Sequence, residues 1–435
     1  MTPSEDRKLV AAQEMVGDLA RHLDLDMSVR LWDGSLVPLG SNVQSDLAIT
    51  ITSPGVISSL LHRPTLDRLI RHYAHGHIGF EGGTLIDIGA KIQSGEKSGR
   101  RLKSVGKRRL IGQLWPFLFA PGEKLERSRS FDGDAEGQGR AQGKNRDFIQ
   151  FHYDVGNEFY QLFLDPRMQY SCAYFTDWGN TLEQAQTDKL EMICRKLRLK
   201  PGDRLLDIGC GWGGLICHAA EHYGVTAHGV TLSDAQIGLA RERIAQKGLG
   251  DRVTVEIRDY AELTGSYDKI ASIGMYEHIG IANIGRYFDT VRRLLAPGGL
   301  FLNHAISRRA KRRKRRFSAR AEQRALQKYI FPGGELDDIG HTIQAMEQRG
   351  FEIHDVEGWR DHYAMTTRLW CERLTARRDE AIALVGPETY RIWVAYLAGC
   401  SLAFTRGTAR IYQTLASRGG KGLSPIPQTR ADLYR

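Results

Sequence analysis

The chain has 435 residues, of which 41% are hydrophobic, 26% charged and 9% aromatic. That balance supplies core for roughly two to three domains and excludes wholesale disorder, and no stretch approaches ~18 uncharged apolar residues, which excludes a membrane-spanning helix. The 61 Lys and Arg against 51 Asp and Glu leave a net charge of +10, which suits nucleic acid, an anionic membrane surface or an acidic substrate as partner.

The start, MTPSEDRKLV, is charged and no apolar run follows it, so no secretory signal is expected. Residues 1–122 read as a small α+β domain. Residues 9–23 carry helix-period apolar spacing, 27–40 a hairpin turning at Asp33-Gly34, and 46–54 an alternating strand. Two short helices follow over 54–63 and 64–76, with Pro54 and Pro64 in their first turns, and 80–88 closes the domain as a strand. No catalytic constellation stands out in this domain. Residues 123–146 read as a linker, because Gly, Ser and charge dominate from 126 onward.

Residues 147–435 form a second domain. Strands over 204–209, 225–232, 253–259, 267–275 and 299–306 alternate with helices such as 233–248 and 284–299. That order argues for an α/β fold with a parallel sheet covered on both faces, whose ligands sit at the carboxyl ends of the strands. The six cysteines, Cys172, Cys194, Cys210, Cys217, Cys371 and Cys400, lack zinc-like pairing and read as reduced thiols. No metal site and a cytoplasmic location are expected.

The strongest local signal is RLLDIGCGWGG, a hydrophobic strand running into Gly209, Gly211 and Gly213 with a helix after them. Closely spaced glycines let backbone approach a ligand, and the helix start offers free N–H groups. A tight strand-to-helix turn is the other reading of the same residues. The GxGxG spacing, with Asp207 two residues before the first Gly, resembles class I S-adenosylmethionine (SAM) methyltransferases, a Rossmann-like fold. No P-loop pattern is present. Asp259, ending the third strand, stands where an adenine-contacting acid belongs, or is a strand-end turn residue.

VGNEFYQLFLDPRMQYSCAYF (155–175), GVTLSDAQ (229–236), GMYEHIG (274–280) and KYIFPGG (328–334) together resemble cyclopropane-fatty-acyl-phospholipid synthases. The resemblance covers about 147–420, and the N-terminal domain and linker resemble the longer bacterial members. It implies transfer of a methylene from SAM to the cis double bond of unsaturated acyl chains in membrane phospholipids. Tyr170 and Ser171 match the segment that closes over SAM, and Gly209, Gly211 and Gly213 its glycine loop. Thr231 and Gln236 match ribose- and methionine-side contacts, and Asp259 and Tyr260 the adenine side. Cys172, Glu277, His304, Ile306 and Tyr363 match five positions that hold a bicarbonate ion, and Cys400 matches a cysteine treated as an active-site residue. A homodimer, peripheral attachment to the inner membrane and no nucleic-acid partner are further implications. The alternative within the same fold is methyl addition without ring closure.

The chemistry suits those residue types. An alkene attacked by a sulfonium methyl leaves a carbocation, so the pocket needs a base and walls that exclude water. A small anion such as bicarbonate stabilises positive charge and accepts a proton. Tyr363 and His304 can donate hydrogen bonds to it, backbone N–H groups near Cys172 and Ile306 can add more, and Glu277 can accept its O–H. Other readings stand beside these. Glu277 can cap the next helix, His304 can be a core histidine, and Cys172 can be a small buried hydrophobe. Cys400, on an apolar helix with no visible partner base, reads better as structural. The aromatic run from Phe151 to Phe175 reads as packing and as walls for an acyl chain.

RRAKRRKRR (308–316) holds eight positive residues in nine, and KSGRRLKSVGKRR (97–109) seven with no acid. Solvated loops and phosphate-backbone binding are both open. An anionic bilayer is the preferred partner, at about 1 kcal/mol per basic residue near its surface. The first run makes the chain longer than the family pattern between His304 and KYIFPGG.

Overall fold

The computed structural model describes residues 3–95, 107–125, 155–310, 321–330, 334–420, 422 and 424–434. It divides into two compact units, Met1–Ser130 with Leu374–Leu402 and Phe131–Arg373 with Ala403–Arg435. The linker beyond residue 125 lies outside the described residues, as do Phe151 and Tyr153.

The first unit opens with the helix Pro3–Leu23. The hairpin follows as β1 (Ser28–Arg30) and β2 (Leu36–Pro38), paired antiparallel. Its turn is held by Asp33, whose side chain accepts from the Ser35 N–H at 3.0 Å. β3 (Ala48–Ile51) runs parallel to β1, and β4 (Ile78–Glu81) antiparallel to β3, giving the order β2-β1-β3-β4. Pro54 begins the helix Pro54–His62 as expected. Pro64 does not begin the next one. Thr65 caps Leu66–Ala74 through its side chain, which leaves Pro64 outside. The expected closing strand over 80–88 is corrected as well. After β4 the chain turns at Gly82 (φ 73°) and forms the helix Leu85–Gly95. Thr84 and Asp87 explain it. The Thr84 N–H donates to Asp87 Oδ2 (2.9 Å) and the Asp87 N–H to Thr84 Oγ1 (3.2 Å), a reciprocal cap that the hydrophobic pattern hid.

The stretch 374–402, which the sequence boundary gives to the second domain, groups with this first unit. Its helix, Arg378–Thr405, breaks at Gly386 (φ 78°) before Pro387. Trp393 and Leu397 are buried, and the Arg391 guanidinium donates to the Tyr73 carbonyl at 3.2 Å and lies 5.7 Å from the centre of its ring.

The second unit holds β5 (Arg204–Ile208), β6 (Thr226–Thr231), β7 (Val253–Ile257), β8 (Tyr267–Ile273), β9 (Leu295–Arg308), β10 (Phe351–Gly358) and β11 (Ala409–Arg418). Their order is β10-β11-β9-β8-β5-β6-β7, parallel from β9 to β7 and antiparallel for β10 and β11. β5 has β6 on one side and β8 on the other, so strand order reverses there and a crevice opens at their carboxyl ends. The five expected strands are present. β9 is longer than expected, and β10 and β11 are additions that the sequence reading did not make.

Side-chain alternation decides what faces what. Leu205 packs in one apolar layer with Ile193, Ile216, Leu300 and Leu302. Leu206 and Ile208 pack in the other with Phe288, Val291 and Phe301. Asp207 and His304 therefore share the face of Leu205 and Leu302, against the helix Leu182–Lys196. The last residue of that helix, Lys196, is fully buried, with Nζ on the Glu357 carboxylate and 3.7 Å from Asp355. Removing the cation strands the carboxylates, so Lys196→Met is expected to cost about 3 kcal/mol or more. Urea unfolding reads this as a lower midpoint at unchanged slope, and an unmoved midpoint contradicts it.

Candidate active site

After Ile208 the chain turns through three glycines with positive φ, Gly209 (80°), Gly211 (56°) and Gly213 (78°). A Cβ on Gly209 would stand 2.9 Å from Met275 Cγ, whereas at Gly211 it would meet nothing within 4 Å. The first glycine is required by close packing and the second faces open space. Gly213 is the N-cap of the helix Gly214–Tyr223.

A cavity lies beyond this loop. Tyr170, Ser171, Asp207, Gly209 and Gly211 line it, as do Thr231, Gln236, Asp259 and Tyr260. Gly213 does not. Thr231 donates from its hydroxyl to Gln236 Oε1 at 2.7 Å, so these two also bind each other. Asp259 lines the cavity and also accepts from the Ala261 N–H at 2.9 Å, capping a short 3-10 turn as its strand-end reading has it. Tyr260 sits edge-on to Tyr287 at 5.4 Å, and burial pushes its phenol up to about 12. Asp207 Oδ1 is buried and has no hydrogen-bond partner among the described residues. Burial raises its carboxyl to about 7 against the pull of Lys189. A buried acceptor without a donor, beside a glycine that leaves space, fits a donor-rich ligand such as SAM.

The segment 165–171 is fastened to the cavity by polar contacts. Asp165 accepts from the N–H groups of Arg167 (3.0 Å) and Gln169 (2.7 Å). Gln186 donates to the carbonyls of Gln169 (3.3 Å) and Ser171 (3.0 Å). Lys189 donates to Gln169 Oε1 and to Ser171 Oγ. The aromatic run packs behind it, with Tyr160 5.1 Å from Trp212 and Tyr170 5.2 Å from Trp370.

Three of the five residues matched to an anion site, Cys172, His304 and Tyr363, meet Trp359, and the other two, Glu277 and Ile306, meet each other. The Cys172 thiol is 3.8 Å from the Trp359 carbonyl, and the Tyr363 N–H donates to that same carbonyl at 3.1 Å. The Trp359 ring stands edge-on to His304, 5.1 Å between centres. Glu277 lies in the turn after β8, and its Oε1 accepts from the Ile306 N–H on β9. The Ile306 amide thus holds Glu277, a use different from the expected donation to an anion. His304 is fully buried, and burial holds its imidazole well below the usual range, hence neutral. Its Nδ1 receives the Gln413 amide at 2.9 Å, which puts the ring proton on Nε2. Nε2 has no partner among the described residues. Burial raises Glu277 to about 7 and pushes the Cys172 thiol far up, so Cys172 is no thiolate. The bare His304 N–H leaves one buried donor open to a small acceptor.

Cys400 belongs to the other compact unit, and burial lifts its thiol to about 12. The Tyr396 side chain lowers the thiol less than burial raises it, so Cys400 is no activated nucleophile. Of the basic run, Arg308 is buried and donates to the Leu336 carbonyl at 2.7 Å, so it is a structural residue and not part of a charged surface. Residues 311–316, and the side chains of 97–109, lie outside the described residues. Lys189, Trp359 and Gln413 escaped the sequence reading. A lysine within an apolar helix face was the available sign for the first.

Residues 140–414 match the family model described as mycolic acid cyclopropane synthetase. A "Probable fatty acid methyltransferase" of Pseudomonas putida is 39% identical over 421 residues, 95% of this chain and 97% of that protein. The cyclopropane-fatty-acyl-phospholipid synthase of Escherichia coli K12 is 40% identical over 283 residues, 64% of this chain and 70% of that one. The solved mycolic acid cyclopropane synthase CmaA1, complexed with SAH and CTAB, superposes with a TM-score of 0.59 at 34% identity, covering 62% of this chain and 97% of that one. The chain belongs to the mycolic acid cyclopropane synthetase family, and it is an S-adenosylmethionine-dependent methyltransferase of class I fold.

Proposed function

We propose that the protein is a cyclopropane-fatty-acyl-phospholipid synthase acting on cis-unsaturated acyl chains of membrane phospholipids, with bicarbonate as base. The observation that carries this reading is the neutral, buried His304 with a bare Nε2–H, two residues before Ile306, whose amide holds Glu277. Cys172 follows Ser171, Glu277 lies between the cavity residues Met275 and His278, and His304 pairs with Ile273. SAM, when bound, supplies the electrophilic methyl that leaves the acyl chain cationic. The SAH complex of CmaA1 supports that choice.

This chain's own residues do the rest. His304 and Tyr363 hold the anion, and the Ile306 amide fixes Glu277 so that its second oxygen can accept the anion's O–H. Rings of Tyr174, Trp359 and His362, within 4.7 to 6.0 Å of one another, wall the site against water. Methyl addition without ring closure is the second reading, favoured by the name of the Pseudomonas putida relative. Mass spectrometry and NMR of monounsaturated vesicles incubated with SAM and bicarbonate decide between them. One added CH2 with ring protons supports the first, one added CH2 with a retained double bond the second, and no mass change with SAM bound refutes both.

The membrane is reached peripherally in this reading, with a homodimer as the expected assembly. No helix among the described residues is long and apolar enough to cross a bilayer. Trp115 and Phe119 are 59% and 78% exposed with rings 5.1 Å apart, just after the basic stretch 97–109. Aromatics beside lysines and arginines suit an anionic interface.

Glu277→Gln is expected to leave SAM affinity near normal and to cut turnover about 10-fold or more. The ionised carboxylate is the acceptor, so at fixed bicarbonate wild-type turnover falls as pH drops through about 7. Glu277→Gln should lack that limb, and an unchanged profile removes Glu277 from the mechanism. Binding to anionic vesicles should weaken steeply with salt, and neutralising 312–316 should flatten the slope. Trp115→Ala with Phe119→Ala should weaken binding at every salt concentration. A salt-independent affinity would sink the docking scheme.

A further inference from the structure

Lys189 is 1% exposed, in the interior of the helix Leu182–Lys196, and lines the same cavity as Asp207. Its hydrogen bonds go to two neutral groups, Gln169 Oε1 and Ser171 Oγ. An ammonium has three N–H directions, and the third has no partner among the described residues. Asp207 Oδ1 likewise accepts nothing there. The two charges influence each other's ionisation, yet neither hydrogen bond of Lys189 goes to Asp207. Holding a buried cation and a buried anion in one cavity without pairing them is costly, unless a third group completes both.

A zwitterion does that. It brings one negative and one positive end, so the net charge of the cavity does not change, and each buried group gains a charge-assisted hydrogen bond. The closing segment agrees with this use, since the same lysine holds Ser171 and the neighbouring Gln186 holds the backbone on both sides of Tyr170. We propose that Lys189 binds the α-carboxylate at the amino-acid end of SAM, opposite Asp207, which faces the α-ammonium. The proposal rests on the cofactor reading above and adds the residue that selects for the amino-acid end.

The test is calorimetric and needs no turnover. S-adenosylhomocysteine and its decarboxylated analogue are titrated into wild type and Lys189→Gln. The wild type should bind the decarboxylated analogue about 10-fold or more weaker, and Lys189→Gln should bring the two ligands within about 2-fold by weakening S-adenosylhomocysteine alone. Equal loss for both ligands would mean that Lys189 only shapes the closing segment, and an unchanged ratio that it does not meet the carboxylate; either overturns the proposal. No binding of S-adenosylhomocysteine to wild type overturns the cofactor reading itself. Should Lys189→Gln fail to fold, a crystal structure of the wild type with S-adenosylhomocysteine decides. Nζ within about 3.2 Å of the carboxylate supports the assignment, and any other partner for the carboxylate refutes it.

Discussion

Every polar group of the site ionises against the cost of leaving water. Asp207, Glu277, His304 and Lys189 sit on elements covered on all sides, and desolvation is the largest influence on each. Burial pushes the two acids up and the two bases down, which leaves His304 neutral and brings Asp207, Glu277 and Lys189 to between about 7 and 8.

Trp359 organises that arrangement. It follows β10 and begins the turn into the helix Arg360–Ala376. Its carbonyl meets Cys172 and the Tyr363 amide, its ring meets His304, and the Lys196 ammonium lies 5.4 Å from the ring centre. β10 and β11 thus deliver two members of the site, Trp359 directly and Gln413 through its pairing with His304. The antiparallel pair at the edge of the sheet supports the chemistry as much as the parallel strands that carry the cofactor loop.

The parallel strands were legible because their apolar runs alternate with helices and end in glycine or acid. Asp207 and Asp259 stood out by their positions at strand ends, whereas Thr231 came only through the family resemblance. β10 and β11 were not, since FEIHDVEG and ARIYQTLASR mix polar residues into both faces and β10 carries a bulge between Ile353 and Asp355. The helix Leu85–Gly95 was hidden for a different reason, because its start depends on the exchange between Thr84 and Asp87 rather than on periodicity. The anion-site residues were legible only through family resemblance. Nothing local marks Glu277, whose partner is the Ile306 amide on β9, or His304, whose partners are Gln413 and Trp359, and the roles of Lys189 and Trp359 emerge only from what lies around them.

The first unit is built from two separated stretches of chain, and residues 374–402 reach it only after most of the second unit has been written. Synthesis runs from the N-terminus and domains tend to fold as they emerge. Here the earliest domain to leave the ribosome cannot be finished until most of the chain has been made, because Tyr73 waits for Arg391. The methyltransferase sheet also stays open until then, since β11 follows the same stretch and fills the place between β9 and β10. Two successive late stretches therefore complete the two units one after the other, and a chain truncated before residue 374 leaves two unfinished cores.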